Sequence, residues 1–336
     1  MKNEIEPINV AIVGCGLIGR KRASVLSPEG CLVACADIDL NQAKNLANDF
    51  GAKAFADWRH VMDLPEVKAV IVATRHDSLA EITLAAIKAG KHVLVEKPAA
   101  RTSAELEPLI VANQNSNVKV HVGFNHRYHR SLRKAKEIIS RCELGELMYI
   151  RGRYGHGGRL EYEKEWRAQP ELSGGGELID QGPHLIDLSR WFLGEFTEVD
   201  GFAKTCYWDM PVDDNAFMTL KTEKGQVAFL HVSCTEWKNM FSLEIYGREG
   251  KLDLSGLGGS YGIERITHYK MLPKMGPPET IIYEYPMQDD SWAGEVRDFF
   301  ESIRKDRTTS VTLIDASKAL KVVEKIYKIS GYDYCS

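Results

Sequence analysis

The sequence predicts an α/β fold, in which a doubly wound parallel sheet is followed by an α+β domain with a large, open, mostly antiparallel sheet. Short apolar runs alternate with helical patterns over the first 123 residues. Such runs are typical of parallel strands that helices cover on both faces. A glycine-rich loop follows the first run, and beyond Gly123 the chain changes to long segments of period two. That period is typical of strands with one buried and one exposed face.

The length and composition agree with two ordinary globular domains. The chain has 336 residues, of which 44% are hydrophobic and 27% charged, and we place the domains at residues 1–123 and 124–336. The formal net charge of −4 comes without a basic block, which argues against nucleic acid and membrane partners. The seven cysteines include no CxxC pair, so we expect reduced thiols and a cytoplasmic location.

The glycine loop joins the first strand, Val10–Val13, to a helix. Its glycines have the spacing GxGxxG, and this motif gains weight because a strand precedes it and a helix follows it. In a dinucleotide-binding Rossmann unit the first glycine makes a tight turn, the second admits the pyrophosphate and the third allows close helix–strand packing. The residues expected to line the cofactor here are Gly14, Gly16, Leu17, Ile18 and Gly19.

Asp37 ends the second strand, Cys31–Ala36, and lies 18 residues after Gly19. This position matches the carboxylate that binds the adenosine ribose, about 20 residues past the loop. A carboxylate accepts hydrogen bonds from both ribose hydroxyls and repels a 2′-phosphate, so Asp37 favours NAD. The basic run at residues 20–22 leaves NADP as the alternative.

Lys97 follows another buried strand, Val93–Val95. Ligands of open α/β sheets bind outside the carboxyl ends of the strands, so Lys97 is expected to face a cofactor or substrate. Pro98 restricts Lys97 to an extended backbone, which gives the ammonium group a defined direction. A solvated strand end is the alternative interpretation.

The second domain is expected to contain helices at Ser131–Ser140, Trp292–Lys305 and Leu313–Ile329. Its period-two segments predict strands at Leu147–Tyr154, Glu198–Thr205, Asp214–Thr222, Gln226–Glu236 and Phe241–Tyr246. Both faces of Gln226–Glu236 carry large apolar side chains. One face can pack on the domain's own helices, and a second subunit would cover the other, so we expect a homodimer or homotetramer.

A chemically suggestive pattern follows the run Ser173–Gly176. Residues 177–194 are predicted to be helical, and Asp180 and His184 are four residues apart, which places them on one face of a helix. Pro183 must kink or restart this helix. A carboxylate beside an imidazole raises its basicity, as a general base for alcohol oxidation requires. A surface Asp–His pair is the alternative.

These features have a joint purpose in hydride transfer. When a nicotinamide accepts hydride from a carbinol carbon, a base must take the hydroxyl proton and a cation stabilises the oxygen. Lys97 and His184 supply those two groups. A metal site is not expected, because the spacings of His121, His126, His129 and His156 fit no common ligand pattern.

The chain resembles the Gfo/Idh/MocA oxidoreductases almost from end to end. The resemblance rests on the glycine loop, on residues 89–98 with their Glu-Lys-Pro motif, and on residues 174–184 with the triple glycine, Asp180 and His184. It implies that Lys97, Asp180 and His184 form the active site, with His184 as base, Asp180 as its partner and a cis bond at Lys97–Pro98. It also implies cofactor contacts, which we assign to Thr74, His76, Glu96, Lys97, Trp166 and Arg167. The loop Thr74–Leu79 departs from the family pattern, because Leu79 replaces a histidine.

The expected reaction is reversible oxidation of a secondary hydroxyl on a sugar, sugar acid, nucleotide sugar or inositol. Substrate contacts are assigned to Lys97, Tyr154, Arg167, Asp180 and His184. An anionic group on the substrate would suit the arginines and tyrosines expected near the cleft, which are Arg151, Arg153, Arg159, Arg167, Tyr154 and Tyr162. Two other functions stay open within the family: an NAD-dependent glycosidase and a non-catalytic NAD-binding regulator.

Overall fold

The computed structural model describes residues 6–333, so Cys335 lies outside the described part of the chain. The chain forms two compact units. The first runs up to Phe124 and includes Trp292–Lys318, and the second comprises Asn125–Ser291 and the residues from Ala319 onward. Residues 292–318, which the sequence pattern places in the second domain, group with the first because their apolar side chains pack into its core.

The first unit alternates strands and helices. Its strands are β1 Ile8–Val13, β2 Gly30–Ala36, β3 Lys53–Phe55, β4 Ala69–Val72, β5 His92–Glu96 and β6 Val120–Gly123. Its helices are α1 Leu17–Ser24, α2 Leu40–Phe50, α3 Arg59–Met62, α4 His76–Lys88 and α5 Ser103–Gln114.

All neighbouring strands of this six-stranded sheet are parallel, in the order β3-β2-β1-β4-β5-β6. The strand order reverses between β1 and β4, and ligands of such sheets bind at the carboxyl ends of the strands beside this point. The glycine loop after β1 and the Thr74 loop after β4 begin there. The prediction of a doubly wound parallel sheet is confirmed.

Helix α10, Ser291–Arg304, explains why residues far along the chain belong to the first unit. Phe299 and Phe300 are fully buried in one cluster with Val10, Ile12 and other core residues of β1, β2 and β4. Gly30 makes this packing possible, because a Cβ there would lie 2.7 Å from the ring of Phe300. Burial of two phenylalanines stabilises this packing by about 2–3 kcal/mol each.

The second unit is built on an eight-stranded sheet of order β14-β13-β12-β11-β7-β10-β9-β8. Its strands are β7 Leu147–Gly155, β8 Phe196–Lys204, β9 Asn215–Thr222, β10 Val227–Ser233, β11 Met240–Gly247, β12 Gly250–Ser255, β13 Glu264–Lys270 and β14 Glu279–Tyr285. Its helices are α6 Arg130–Ser140, α7 Pro170–Ser173, α8 Glu177–Asp180 and α9 Gly182–Leu193, and α11 Leu313–Ser330 completes the chain.

Only β7 and β10 pair in parallel in this sheet, and the other neighbours are antiparallel. The predicted open, mostly antiparallel sheet is therefore confirmed. Strands β12, β13 and β14 were not predicted. β12 is short although Leu252 and Leu254 alternate with polar residues, and the apolar alternation of β13 and β14 is irregular. Strands of this kind are defined by their partners.

Helix α9 packs on the buried face of the sheet. Gly152 of β7 leaves space there, since a Cβ at this position would lie 3.5 Å from Leu185 of α9 and closer still to Leu230 and Leu243. This contact fixes the height of α9 above the strands. It therefore also fixes the position of His184, the residue before Leu185.

Candidate active site

The glycine loop has the backbone geometry that the motif predicts. Gly14 has φ +92°, and a Cβ there would lie 2.4 Å from the carbonyl oxygen of Ala73. A Cβ at Gly19 would lie 1.9 Å from the carbonyl oxygen of Gly14, so only glycine allows α1 to approach the loop. A Cβ at Gly16 would have no neighbour within 4 Å. The exposed backbone at Gly16, ahead of the N-terminus of α1, is the part of the loop that a phosphate group can approach.

Asp37 is oriented by two backbone N–H groups. Cys15 N–H donates to Oδ2 at 2.7 Å, and Asp39 N–H donates to Oδ1 at 2.9 Å. The carboxylate is half-buried, and each oxygen retains a lone pair for a further donor. This arrangement fits the two hydroxyls of an adenosine ribose. The glycine loop and Asp37 therefore fit NAD.

The remaining cofactor residues predicted in the first unit lie at the ends of β4 and β5. Thr74 precedes α4 and His76 is buried in its first turn. Lys97 is half-buried at the end of β5, and the Lys97–Pro98 bond is cis, as the family resemblance implies. Leu79, which stands where the family has a histidine, is fully buried in α4. That position therefore serves the core of this unit.

Glu96, the residue before Lys97, belongs to a buried ionic cluster. Arg22 of α1 is fully buried and donates to Glu96 Oε1 at 2.6 Å and to Glu295 Oε2 of α10 at 2.6 Å. His121 Nε2 of β6 lies 3.4 Å from Glu295 Oε1. Burial raises the pKa of Glu96, and the charge of Arg22 opposes this shift. We therefore assign Glu96 to the support of β5 and α1 rather than to direct cofactor contact.

In the second unit, Asp180 and His184 lie on two consecutive short helices. Asp180 ends α8, Gln181 interrupts the helix, and Pro183 restarts it within the first turn of α9. The predicted restart of the helix at Pro183 is therefore confirmed, and its cause is that proline lacks the N–H that would continue the first helix. Both side chains are buried. The side chain of Asp180 accepts a hydrogen bond from Arg167 Nε at 3.1 Å.

The triple glycine before α8 has a structural cause. Asp213 is fully buried and accepts hydrogen bonds from Gly176 N–H at 3.0 Å, Leu178 N–H at 2.7 Å and the Tyr327 hydroxyl at 2.8 Å. A Cβ at Gly175 would lie 2.2 Å from the Tyr327 hydroxyl oxygen. Burial raises the pKa of Asp213 to about 6, although these donors favour its charged form. Asp213 thus anchors the start of the helix that carries Asp180.

Arg167 and Trp166 lie in a short 3₁₀ turn beside Asp180. The guanidinium of Arg167 sits over the Trp166 ring, 4.5 Å from its centroid, and its Nη1 lies 3.6 Å from Glu165. Burial disfavours the charged guanidinium, but Asp180, Tyr162 and Glu165 together keep the pKa of Arg167 above its ordinary value. Arg167 is therefore committed to carboxylates of its own chain.

A second imidazole–carboxylate pair, His156 and Glu177, lies in the same region. His156 Nε2 is 3.6 Å from Glu177 Oε2, and Gly158 N–H donates to Nδ1 at 3.0 Å. Nδ1 therefore carries no proton when this bond is made, and the Nε2–H faces Glu177. Burial lowers the pKa of His156, but Glu177 and Asp180 raise it overall. The hydrogen bond from Gly158 N–H to Nδ1 disfavours protonation of that nitrogen, whereas the two carboxylates favour the doubly protonated ring.

Aromatic rings enclose His184 inside the second unit. The ring of His126 stacks on it with centroids 3.8 Å apart, and Tyr154 meets it edge-on at 5.9 Å. Tyr154 is fully enclosed and shares a hydrogen bond with Tyr261, and burial raises its pKa well above the ordinary value. Tyr154, Asp180 and His184 thus belong to one region of this unit. Sequence reasoning had considered His126 only as a metal ligand and had not found Tyr261.

Two basic residues of the turn at residues 125–130 have buried carboxylate partners. Arg127 and His129 are buried and bind Asp187 and Glu264. These partners are 60 and 135 positions away in the sequence, so no local pattern indicates them. Across residues 6–333, no group of three or more His, Cys, Asp or Glu side chains is arranged to hold a metal ion.

Comparison with known proteins identifies the family. Residues 8–124 match the family model for an oxidoreductase with an NAD-binding Rossmann fold, and residues 132–253 match that for the Gfo/Idh/MocA C-terminal domain. The chain therefore belongs to the Gfo/Idh/MocA oxidoreductases. The resemblance noted from the motifs is confirmed, and so are the predictions of an oxidoreductase and of NAD as its cofactor.

Individual relatives cover different shares of the chain. Levoglucosan dehydrogenase of Pseudarthrobacter phenanthrenivorans is 30% identical over 236 residues, or 66% of this chain, and the match spans less than two thirds of that protein, 60%. The scyllo-inositol 2-dehydrogenase (NAD(+)) of Bacillus subtilis is 26% identical over 332 residues, covering 94% of this chain and 92% of that protein. A solved structure of levoglucosan dehydrogenase in complex with NADH superimposes with a TM-score of 0.85 at 25% identity, covering 97% of this chain and 98% of that one.

Among the described helices, none combines the length and hydropathy that a membrane crossing requires. The six cysteines within residues 6–333 are free thiols.

Proposed function

We propose that the protein oxidises a secondary hydroxyl of a neutral sugar or polyol to a ketone, and catalyses the reverse reduction, with NAD. The observation that carries this proposal is the enclosed set of Asp180, His184 and Tyr154 in the second unit of a chain whose first unit has an NAD-type loop. Relatives named for levoglucosan and scyllo-inositol support the substrate class.

His184 is proposed as the base. A neutral imidazole can take the hydroxyl proton as the C–H bond breaks, and NAD, when bound, supplies the hydride acceptor. Asp180, itself held by Arg167, places a negative charge in this region and favours the imidazolium that forms. Lys97 is proposed to stabilise the oxygen while negative charge develops on it, since an ammonium group is most effective where water is scarce.

The substrate is proposed to be neutral because the arginines once expected to bind an anion have other partners. Arg159 Nε lies 2.5 Å from Glu165, Arg167 Nε lies 3.1 Å from Asp180, and Arg151 Nη2 lies 2.8 Å from Glu244. Arg151 and Arg153 also point to the exposed face of β7, away from the face that carries Tyr154.

A matched substrate screen tests this proposal. Pairs such as glucose and gluconate, galactose and galacturonate, or myo-inositol and its phosphate are offered with NAD, and NADH formation is followed by absorbance. We expect turnover with at least one neutral member and at least tenfold lower kcat/KM with its anionic partner. Preference for the acid or phosphate would refute the neutral class, and turnover with none of the compounds would refute the dehydrogenase function.

Variants test the two proposed chemical groups. Lys97→Ala and His184→Ala should each lower kcat by about 10²–10⁴-fold, the usual range for a lost acid–base or electrostatic group. NAD affinity, measured by fluorescence titration, should fall less than threefold in His184→Ala. Lys88→Ala, at the exposed end of α4, is the control and should keep full activity. Release of nitrophenol from aryl glycosides would instead favour the glycosidase.

We also propose that a second copy of the chain covers the open face of the eight-stranded sheet. Phe202 and Phe229 are about half exposed there, and Phe217 stacks between Phe202 and His231. Isolated subunits rarely expose such an apolar patch. Light scattering should give a dimer or tetramer mass, and Phe229→Glu should lower it. A monomeric wild-type protein would refute this assembly.

A further inference from the structure

The ring of His126 stacks on the ring of His184, the proposed base, within the second unit. Its ring centroid lies 3.8 Å from that of His184, and the two ring planes differ by 28°. Both residues are buried, with 4% of each exposed. The contact is thus a face-to-face stack, which limits rotation of the His184 ring about its Cβ–Cγ bond.

A clamp on the neighbouring residues holds this stack in place. Arg127 Nε donates to Asp187 Oδ2 at 2.7 Å, and Arg127 Nη2 donates to Oδ1 at 2.5 Å. Asp187 is three residues after His184, on the same side of α9. Because Arg127 follows His126 directly, this bidentate pair ties the 3₁₀ turn to α9 beside the stacked rings.

Other contacts close the remaining sides of His126. Tyr154, His129 and Phe241 meet its ring edge-on or steeply tilted, at 5.0, 5.5 and 6.0 Å between centroids. Its Nδ1 lies 3.3 Å from Asn125 Oδ1, and Asn125 Nδ2 donates to Ser291 Oγ at 3.0 Å. The ring of His126 is therefore a fixed wall, and any rotation of His184 would have to displace it.

We propose that His126 is a positioning residue for the oxidoreduction, and that its ring holds the His184 imidazole at the orientation required for proton transfer. The inference rests on the proposed function, in which His184 is the base. The angle of an imidazole about its last side-chain bond has a broad energy minimum, so the ring needs external contacts to define it. Proton transfer requires heavy atoms about 2.6–3.2 Å apart.

The proposal predicts a change in kcat rather than in substrate affinity. Misplacement of a reacting group by about 1 Å costs up to about 10²-fold in rate. His126→Ala should therefore lower kcat by about 10- to 100-fold and change KM by less than threefold. His126→Phe keeps a flat ring without the nitrogen atoms, and it should restore kcat to within about threefold of the wild type.

His60→Ala is the matched control. His60 also contacts an aromatic ring, that of Phe55, with centroids 6.0 Å apart, but it is exposed in the first unit. The His60→Ala variant should leave kcat unchanged. Circular dichroism and melting temperatures confirm that each variant is folded. A ¹⁵N spectrum of the imidazoles supplies a readout without substrate, in which the His184 signals should broaden or double in His126→Ala and sharpen again in His126→Phe.

The outcomes separate this inference from the proposed function. If His184→Ala abolishes turnover while His126→Ala keeps kcat within twofold, only the positioning role is refuted. If His126→Phe is as impaired as His126→Ala, the nitrogen atoms matter and the stacking role is refuted. If His184→Ala keeps wild-type turnover, the proposed base is refuted, and the ¹⁵N spectra alone then decide whether His126 orders the ring.

Discussion

Replacement of Arg22 by methionine should destabilise the first unit strongly, because it removes the cation from a buried cluster and leaves two carboxylates behind. Methionine keeps the length of the aliphatic part of the side chain, so the change is chiefly one of charge and hydrogen bonding. Arg22 is fully buried, and its nitrogen atoms lie 2.6 Å from Glu96 and 2.6 Å from Glu295.

The magnitude follows from what remains after the substitution. Removing one partner of a buried ion pair costs about 3–5 kcal/mol, since the other charge stays buried without compensation. Here Glu96 and Glu295 would both lose their common cation, so we expect a loss near the upper end, about 5 kcal/mol. The pKa of Glu96, which burial raises and the charge of Arg22 opposes, should rise further in the variant, so protonation of Glu96 stabilises the folded state. The loss should therefore be smaller at pH 5 than at pH 8.

Urea unfolding at pH 5 and pH 8 measures this effect, with melting temperatures as a second probe. Arg20→Met is the matched control on the same helix, because Arg20 pairs with Asp49 at the surface, where 38% and 59% of the two side chains are exposed. Such a pair contributes about 0–1 kcal/mol. If Arg22→Met costs no more than Arg20→Met, or if its cost grows toward pH 5, the ionic account of the cluster is refuted.

Three further predictions concern the loop, the ribose carboxylate and the anchor of α8. Gly16→Ala should leave the melting temperature nearly unchanged, since its Cβ meets nothing within 4 Å. It should weaken NAD binding at least tenfold, because the methyl group would lie where the phosphate approaches the loop. Gly19→Ala, whose Cβ would lie 1.9 Å from a carbonyl oxygen, should instead lower the melting temperature. Equal effects on stability would contradict this. Asp37→Asn should raise the KM for NAD and the NADP-to-NAD activity ratio, whereas Asp39→Asn, which keeps an oxygen acceptor for the N-cap of α2, should change neither. Because the pKa of Asp213 is raised to about 6 in the folded protein, its protonation stabilises the fold. This contribution is fully present below about pH 4 and is lost as the pH rises through 6. The stability advantage of the wild type over Asp213→Asn should thus shrink by about 3 kcal/mol between pH 4 and pH 7.5; a constant difference would contradict it.

The parts of the site that the sequence predicted are those built from short spacings. Gly14, Gly16 and Gly19 lie in one loop with the backbone geometry that the motif predicts, and Asp37 accepts a hydrogen bond from Cys15 of that loop. Such features are readable because a strand, a turn and a helix start are encoded by consecutive residues. The cis bond at Lys97–Pro98 also lies within one motif, although the family resemblance was needed to expect it.

Long-range partners account for the residues that were misjudged. The arginines appeared available for an anionic substrate, yet Arg151 and Glu244 are joined across two neighbouring strands. The triple glycine suggested a helix start, and the structure adds that Gly175 and Gly176 admit Tyr327 and Asp213. The sequence around a charged residue does not indicate which residue will neutralise it, because packing of the folded chain selects that partner.

By itself, the sequence determined the alternation of strands and helices before Gly123, the cofactor loop, and Lys97, Asp180 and His184 as candidates. Local hydrophobic period and turn chemistry suffice for these features. Only the tertiary structure decided what surrounds them. Arg22 binds Glu295, which is 273 positions away in the sequence. The ring of His126, in a 3₁₀ turn, stacks on the ring of His184 in α9. The physical reason is that burial selects charge partners and ring contacts by proximity in the folded chain, which no local pattern records.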